Sequence, residues 1–142
     1  PQYQIAVEKA RVTSIMPLLR SIDSAQKLHY LTYGKYSINI DTLTDIELPP
    51  YTSLTTTETS QNIAGKNYSC LLRYGTATSP NTYSTYCSPK SVSGVRIEKY
   101  YNATYFHCWA SKTDERQQQV CQKISGLAGN SGYNEGSLSY YF

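Results

Sequence analysis

The chain has 142 residues, with 13 basic and 10 acidic side chains and a formal charge of +3, a length that suits one domain around one core better than two. Basic residues are scattered from Lys9 to Lys123, so charge alone makes no case for nucleic acid. Fifteen tyrosines against two phenylalanines and one tryptophan, with many serines and threonines, favour a β-rich, wet, extracellular surface.

The opening stretch from Gln2 to about Tyr33 contains no glycine before Gly34 and predicts a long amphipathic helix. Ile5, Val12, Ile15, Met16, Leu19, Ile22, Tyr30 and Tyr33 fall along one broad side, which should be buried. Ile5, Val12, Ile15, Leu19 and Ile22 are the expected contacts with the rest of the core. A second stripe of small residues, including Ala6, Ala10 and Ser14, lets another helix approach closely. At ~1.5 Å per residue the helix would span about 50 Å, more than the rest of the chain can cover. Pro17 withholds a backbone donor and crowds the Thr13 carbonyl, predicting a bend, or else the start of a second helix after a break. Gly34 is a fitting stop.

Residues 34–67 read as a loop region. One helical turn is expected after Asp41, whose side chain would cap residues 42–45, with Ile38, Ile40, Leu43 and Ile46 plugging into the core. Pro49 and Pro50 favour an extended connection, and residues 52–61 read as polar and exposed. An antiparallel sheet is expected within residues 68–110. Residues 68–74 and 82–87 flank the turn-rich GTATSPN as a hairpin. Residues 95–101 and 104–110 pair around Asn102 and Ala103. Residues 111–142 form a C-terminal region in which Thr113 caps a helix over 114–125, and a glycine and serine loop leads to a last strand over 137–142. The fold class is α+β, a long N-terminal helix on an antiparallel sheet of about four strands.

Cys70, Cys87, Cys108 and Cys121 allow three disulfide pairings. None forms a CxxC, and a zinc site lacks its paired-ligand spacing. Joining neighbours in sequence, Cys70 with Cys87 and Cys108 with Cys121, closes two short loops and is the simplest arrangement. Such bonds imply an oxidising compartment.

Candidate chemistry is sparse. His29 and His107 lack any surrounding nucleophile elbow. On a strand, His107 and Trp109 share a face while Cys108 points away. Asp41, Asp45 and Glu47 match no calcium loop, so a cap and surface charge account for them. No phosphate-binding or dinucleotide glycine pattern occurs, and neither a cofactor, a metal nor a catalytic role is expected. Asn67 and Asn102 fit the glycosylation sequon. Arg96, Tyr100 and Tyr105 should share one hairpin face, with Lys99 and Tyr101 at its edge, a surface able to stack bases or sugars. Cross-strand packing explains the same tyrosines without a ligand.

The residues PQYQIAVEKARV at the start resemble the stretch that follows the hydrophobic segment of bacterial type IV pilins, where a proline, often in a Pro-x-Tyr arrangement, precedes an EKAR-like run. SAQKLHYLTYGKYSINIDTLTDIELP resembles the helix end and αβ loop of that family, and HCWASKTDERQQQVCQKISG its disulfide-closed C-terminal region. The likeness touches both ends, whereas residues 51–94 carry little of it.

The resemblance implies a structural subunit of an extracellular pilus that serves adhesion, motility or DNA uptake. Its precursor is anchored in the bacterial inner membrane, then trimmed, N-methylated and handed to the pilus assembly machinery. A hydrophobic N-terminal half-helix, with its leader and acidic assembly residue, holds such filaments together. It is not among these residues, so the chain corresponds to the head and lower spine. Self-association would run through the helix, with Ala6, Ala10 and Ser14 against neighbouring subunits. Two alternatives stand beside it: a minor pilin that binds DNA, a glycan or a host surface, and a pseudopilin of type II secretion. Two disulfides without a calcium constellation favour the pilin over the pseudopilin.

Overall fold

A computed structural model of the chain describes residues 1–44, 46–74 and 83–142. The N-terminal helix runs in two pieces, α1 (Gln2–Thr13) and α2 (Met16–Tyr33). Pro17 has no N–H to offer the Thr13 carbonyl, and at the junction the Ile15 amide turns tightly onto the Val12 carbonyl at 3.2 Å. The Thr13 hydroxyl donates back to the Lys9 carbonyl at 2.9 Å and the Ser14 hydroxyl to the Arg11 carbonyl at 2.6 Å, a pattern that bends helices. Both expectations for Pro17 meet here, because the break is short and Pro17 sits in the first turn of α2. Gly34 closes α2 in the left-handed region at φ 72°, its amide bonded to the Tyr30 carbonyl at 2.8 Å.

Ile5, Val12, Ile15, Met16, Leu19 and Ile22 are buried, so the apolar stripe holds the helix on the sheet as its periodicity requires. The stripe stops short of the helix end, since Tyr30 and Tyr33 are exposed. The last turns of α2 extend past the sheet's core and leave those rings against solvent. The structure therefore corrects the predicted buried side at its upper end.

The sheet is antiparallel and wider than about four strands. Among the described residues it has eight, in the order β1-β2-β3-β4-β5-β6-β8-β7. These are β1 (Tyr51–Thr56), β2 (Ser60–Gly65), β3 (Tyr68–Tyr74), β4 (Tyr83–Pro89), β5 (Arg96–Tyr100), β6 (His107–Ser111), β7 (Gly132–Tyr133) and β8 (Ser137–Tyr141). The β1–β2 hairpin corrects the reading of residues 51–65 as loop. Every β1 side chain is exposed, so the strand is held by its ladder with β2 rather than by an apolar face. The central strands alternate instead. Tyr68, Cys70 and Leu72 of β3 and Ile97 of β5 are buried on the helix side, beside Val95 just ahead of β5.

Residues 101–106 join β5 to β6, a longer connection than the predicted two-residue turn. The register pairs Ile97 with Cys108 and Glu98 with His107 and then stops, although a turn does close where the Ala103 amide meets the Tyr100 carbonyl at 3.1 Å. The hairpin tip GTATSPN and Thr82, given to the second strand, lie outside the described residues, as does Asp45.

The short connection after α2 contains a 3₁₀ turn, Ile40–Thr42. Its cap is Asn39, whose side chain accepts from the Asp41 amide at 3.0 Å, rather than Asp41. Ile40 and Leu43 are buried in the core and Ile46 packs against it, while Ile38 is half-buried. The third helix, α3 (Glu115–Ser125), is capped one residue later than expected, with Asp114 accepting from the Gln117 amide at 3.1 Å. Asp114 carries the extended backbone of a cap (φ −120°, ψ 100°), and the Thr113 hydroxyl is engaged with that of Ser111 at 3.1 Å.

Both disulfides join neighbours in sequence, Cys70 to Cys87 and Cys108 to Cys121. The first ties directly opposed residues of β3 and β4. The second fastens α3 to β6, and each restricts the unfolded chain by about 3 kcal/mol.

Candidate functional site

Two surfaces carry the residues singled out from the sequence. The first is the outward side of α1 and the junction, where Ala6, Ala10 and Ser14 are exposed. Between them Glu8 turns inward and is buried against α3, where Arg116 donates to its carboxylate at 2.5 Å. That pair raises the Arg116 pKa above its ordinary value, chiefly through the hydrogen bond. It locks α1 to α3 while leaving the small-residue side open.

The second surface is the sheet face turned away from the helix. Strand alternation places Arg73 of β3, Tyr86 of β4, Arg96, Glu98 and Tyr100 of β5, and His107 and Trp109 of β6 on it. Glu98 is its hub and is wholly buried. Its carboxylate accepts from Arg73 Nη2 at 2.7 Å, Ser84 Oγ at 2.8 Å and Trp109 Nε1 at 2.9 Å. Arg73 neutralises that charge. Arg96 lies over Tyr86 at 4.8 Å and Trp109 at 5.6 Å from the ring centroids. Arg96 has no ion-pair partner among the described residues, and its Nε is buried without a hydrogen bond.

Arg96, Tyr100 and Tyr105 thus belong to one face, with Tyr105 exposed at its margin and stacked on Tyr141 at 4.6 Å. Lys99 and Tyr101 do not. Both are buried on the helix side, a correction that follows from the period of two along β5 and its extension. The Lys99 ammonium meets Asp23 Oδ1 of α2 at 3.4 Å, the Tyr100 carbonyl at 3.1 Å and the Ala103 carbonyl. Burial is the main influence and lowers its pKa, against the opposing pull of Asp23. The Tyr101 hydroxyl bonds to Thr85 and lies 3.3 Å from Gln26 Nε2, and burial pushes its pKa far up. These two residues tie helix to sheet.

His107 Nδ1 is 2.8 Å from Ser139 Oγ. The ring stacks on Trp109 at 5.7 Å, and burial lowers its pKa, so it is a neutral packing element at neutral pH. Ser139 is fully buried. His29 Nδ1 lies 2.7 Å from the Lys35 carbonyl at the end of α2. Asp41 and Glu47 are exposed, and among the described residues no three histidine, cysteine, aspartate or glutamate side chains cluster to hold a metal. Both sequon asparagines, Asn67 and Asn102, are exposed. Among the described residues no helix is long and apolar enough to cross a membrane.

The sequence pointed to Arg96, Tyr100 and Tyr105, and strand alternation puts Glu98 beside them, but Arg73 and Trp109 on the same face were missed. The signal available was Glu98 between Ile97 and Lys99 in a strand, where a carboxylate in the sheet's middle needs a cation on a neighbouring strand. No protein-family model, curated protein or solved structure matches the chain.

Proposed function

We propose that the chain is the head and lower spine of a type IV pilin, a structural subunit of an extracellular bacterial filament. The observation that carries this reading is the two-sided N-terminal helix. Ile5, Val12, Ile15, Leu19 and Ile22 are spent on the head, while Ala6, Ala10 and Ser14 stay uncovered. The disulfide between β6 and α3 agrees with the C-terminal region of that family. Small residues on an open helix side let a neighbouring helix approach closely, and a head-to-tail contact that does not close makes a helical filament. In this reading the whole subunit carries a hydrophobic half-helix ahead of Pro1. It is anchored through that segment in the inner membrane before the assembly machinery adds it to the pilus.

The test is Ala10→Trp in the whole subunit. Filament yield should drop at least tenfold while the unfolding free energy of the head changes no more than for a surface substitution, about 0.5 kcal/mol. Normal filaments from Ala10→Trp would remove the helix side from the assembly contact.

A second reading, a minor pilin that binds DNA, is favoured by the uncompensated Arg96 guanidinium on its aromatic floor. Retention on DNA that weakens as salt rises, and that Arg96→Ala abolishes, would select it. Retention indifferent to both would reject it.

A further inference from the structure

We propose that the cleft at the top of α2 binds a neutral oligosaccharide. It lies between the helix end, the segment after Gly34, and the end of β3 and start of β4, has a volume of about 540 Å³, and is lined by Tyr33, Tyr36, Tyr74, Tyr83, Lys35 and Glu58. That volume is in the range of small-ligand sites. Its position is set by the fold, because α2 overshoots the core and the chain returns beneath it through Ser37. The fully buried Gln26 side chain clamps this return, accepting from the Ser37 amide at 2.9 Å.

The rings form one connected platform. Tyr36 packs on Tyr101 at 5.0 Å and on Tyr83 at 5.6 Å between centroids, and Tyr83 meets Tyr74 at 4.7 Å. Tyr101 is anchored in the core, so the platform is in place before any ligand arrives, and little ordering cost remains to be met on binding. Tyrosine supplies a flat apolar face together with a hydroxyl, the combination that adaptable polar recognition surfaces use. Burial raises the Tyr36 and Tyr83 pKa values, keeping both hydroxyls protonated as donors.

Polar groups converge on the same space. Lys35 and Glu58 line it, and neither enters an ion pair among the described residues. His29 and Thr42 complete the rim. One cation and one carboxylate cancel, so the cleft favours a ligand that is polar but uncharged. A sugar meets this description, with C–H faces for the rings and paired hydroxyls for the ammonium and carboxylate. A nucleic acid does not, because its phosphates would face Glu58.

The proposal is independent of filament assembly and is tested on the chain itself. Probes are an array of neutral galactose-, glucose- and N-acetylhexosamine-terminated oligosaccharides, followed by amide NMR titration with whichever sugar binds best. Saturable shifts should cluster at Tyr33, Tyr36, Glu58 and Tyr83. Tyr33→Ala and Glu58→Gln, both at exposed positions and so compatible with folding, should each weaken binding at least tenfold. No binding by any sugar on the array, shifts centred elsewhere, or affinity unchanged in both variants would overturn the assignment. So would salt-dependent binding of an oligonucleotide in the cleft. None of these outcomes touches the filament reading, which Ala10→Trp addresses.

Discussion

Leu19→Ala is expected to destabilise the chain by about 2 to 5 kcal/mol, seen as a lower denaturant midpoint with an unchanged slope. Leu19 has no exposed surface, and it sits in the core cluster with Val12, Ile22, Leu72 and Ile97, midway along the helix. Deleting its side chain removes the transfer energy of three carbons and leaves a cavity that both disulfides hinder from collapsing, since they fix β3 to β4 and α3 to β6. Tyr30→Ala is the control. Tyr30 is 47 % exposed, so the substitution should cost far less although a helical wheel places both residues on one side. Equal losses from the two substitutions, or a parental midpoint for Leu19→Ala, would mean that the helix is turned differently on the sheet.

That contrast marks how far the sequence could be read. Periodicity placed Ile5 through Ile22 correctly because apolar spacing and burial are the same fact wherever a helix has a partner beneath it. It failed at Tyr30 and Tyr33 because the partner ends, and where the sheet stops is a tertiary property. The β1–β2 hairpin escaped for a related reason. With all of β1 exposed, it has no apolar alternation to detect, and only its run of threonines hinted at a strand. Cysteine pairing was legible because short loops limit the choices.

The facing of Arg96, Tyr100 and Tyr105 was legible from strand alternation, but that of Lys99 and Tyr101 was not. Lys99 reads as surface charge, yet the alternation that buries Ile97 also buries Lys99, where Asp23 and two carbonyls accept hydrogen bonds from its ammonium. Buried amides were missed outright. Gln26 clamps Ser37, and Gln61 accepts from the Ile40 amide at 2.7 Å. Each serves a backbone group in a loop distant in sequence, and no local pattern announces such a partner.

Glu98→Ala is expected to cost about 3 to 5 kcal/mol, a larger loss than its place on an outer sheet face would suggest. The carboxylate is wholly buried, and three donors converge on it: Arg73, Ser84 and the Trp109 indole. Removing it strands a guanidinium and an indole N–H, and it loosens Trp109 beneath Arg96. Glu98→Gln should not rescue the fold, although it is nearly isosteric, because the amide adds donors where all three partners are themselves donors. Adding Arg73→Leu to Glu98→Leu should recover part of the loss, since the orphaned charge then disappears and the Tyr86 ring keeps an apolar neighbour. A double-mutant cycle by urea unfolding measures this coupling. Strict additivity of Arg73→Leu and Glu98→Leu would show that the pair contributes nothing as a pair. The outer face would then be held by ring packing alone.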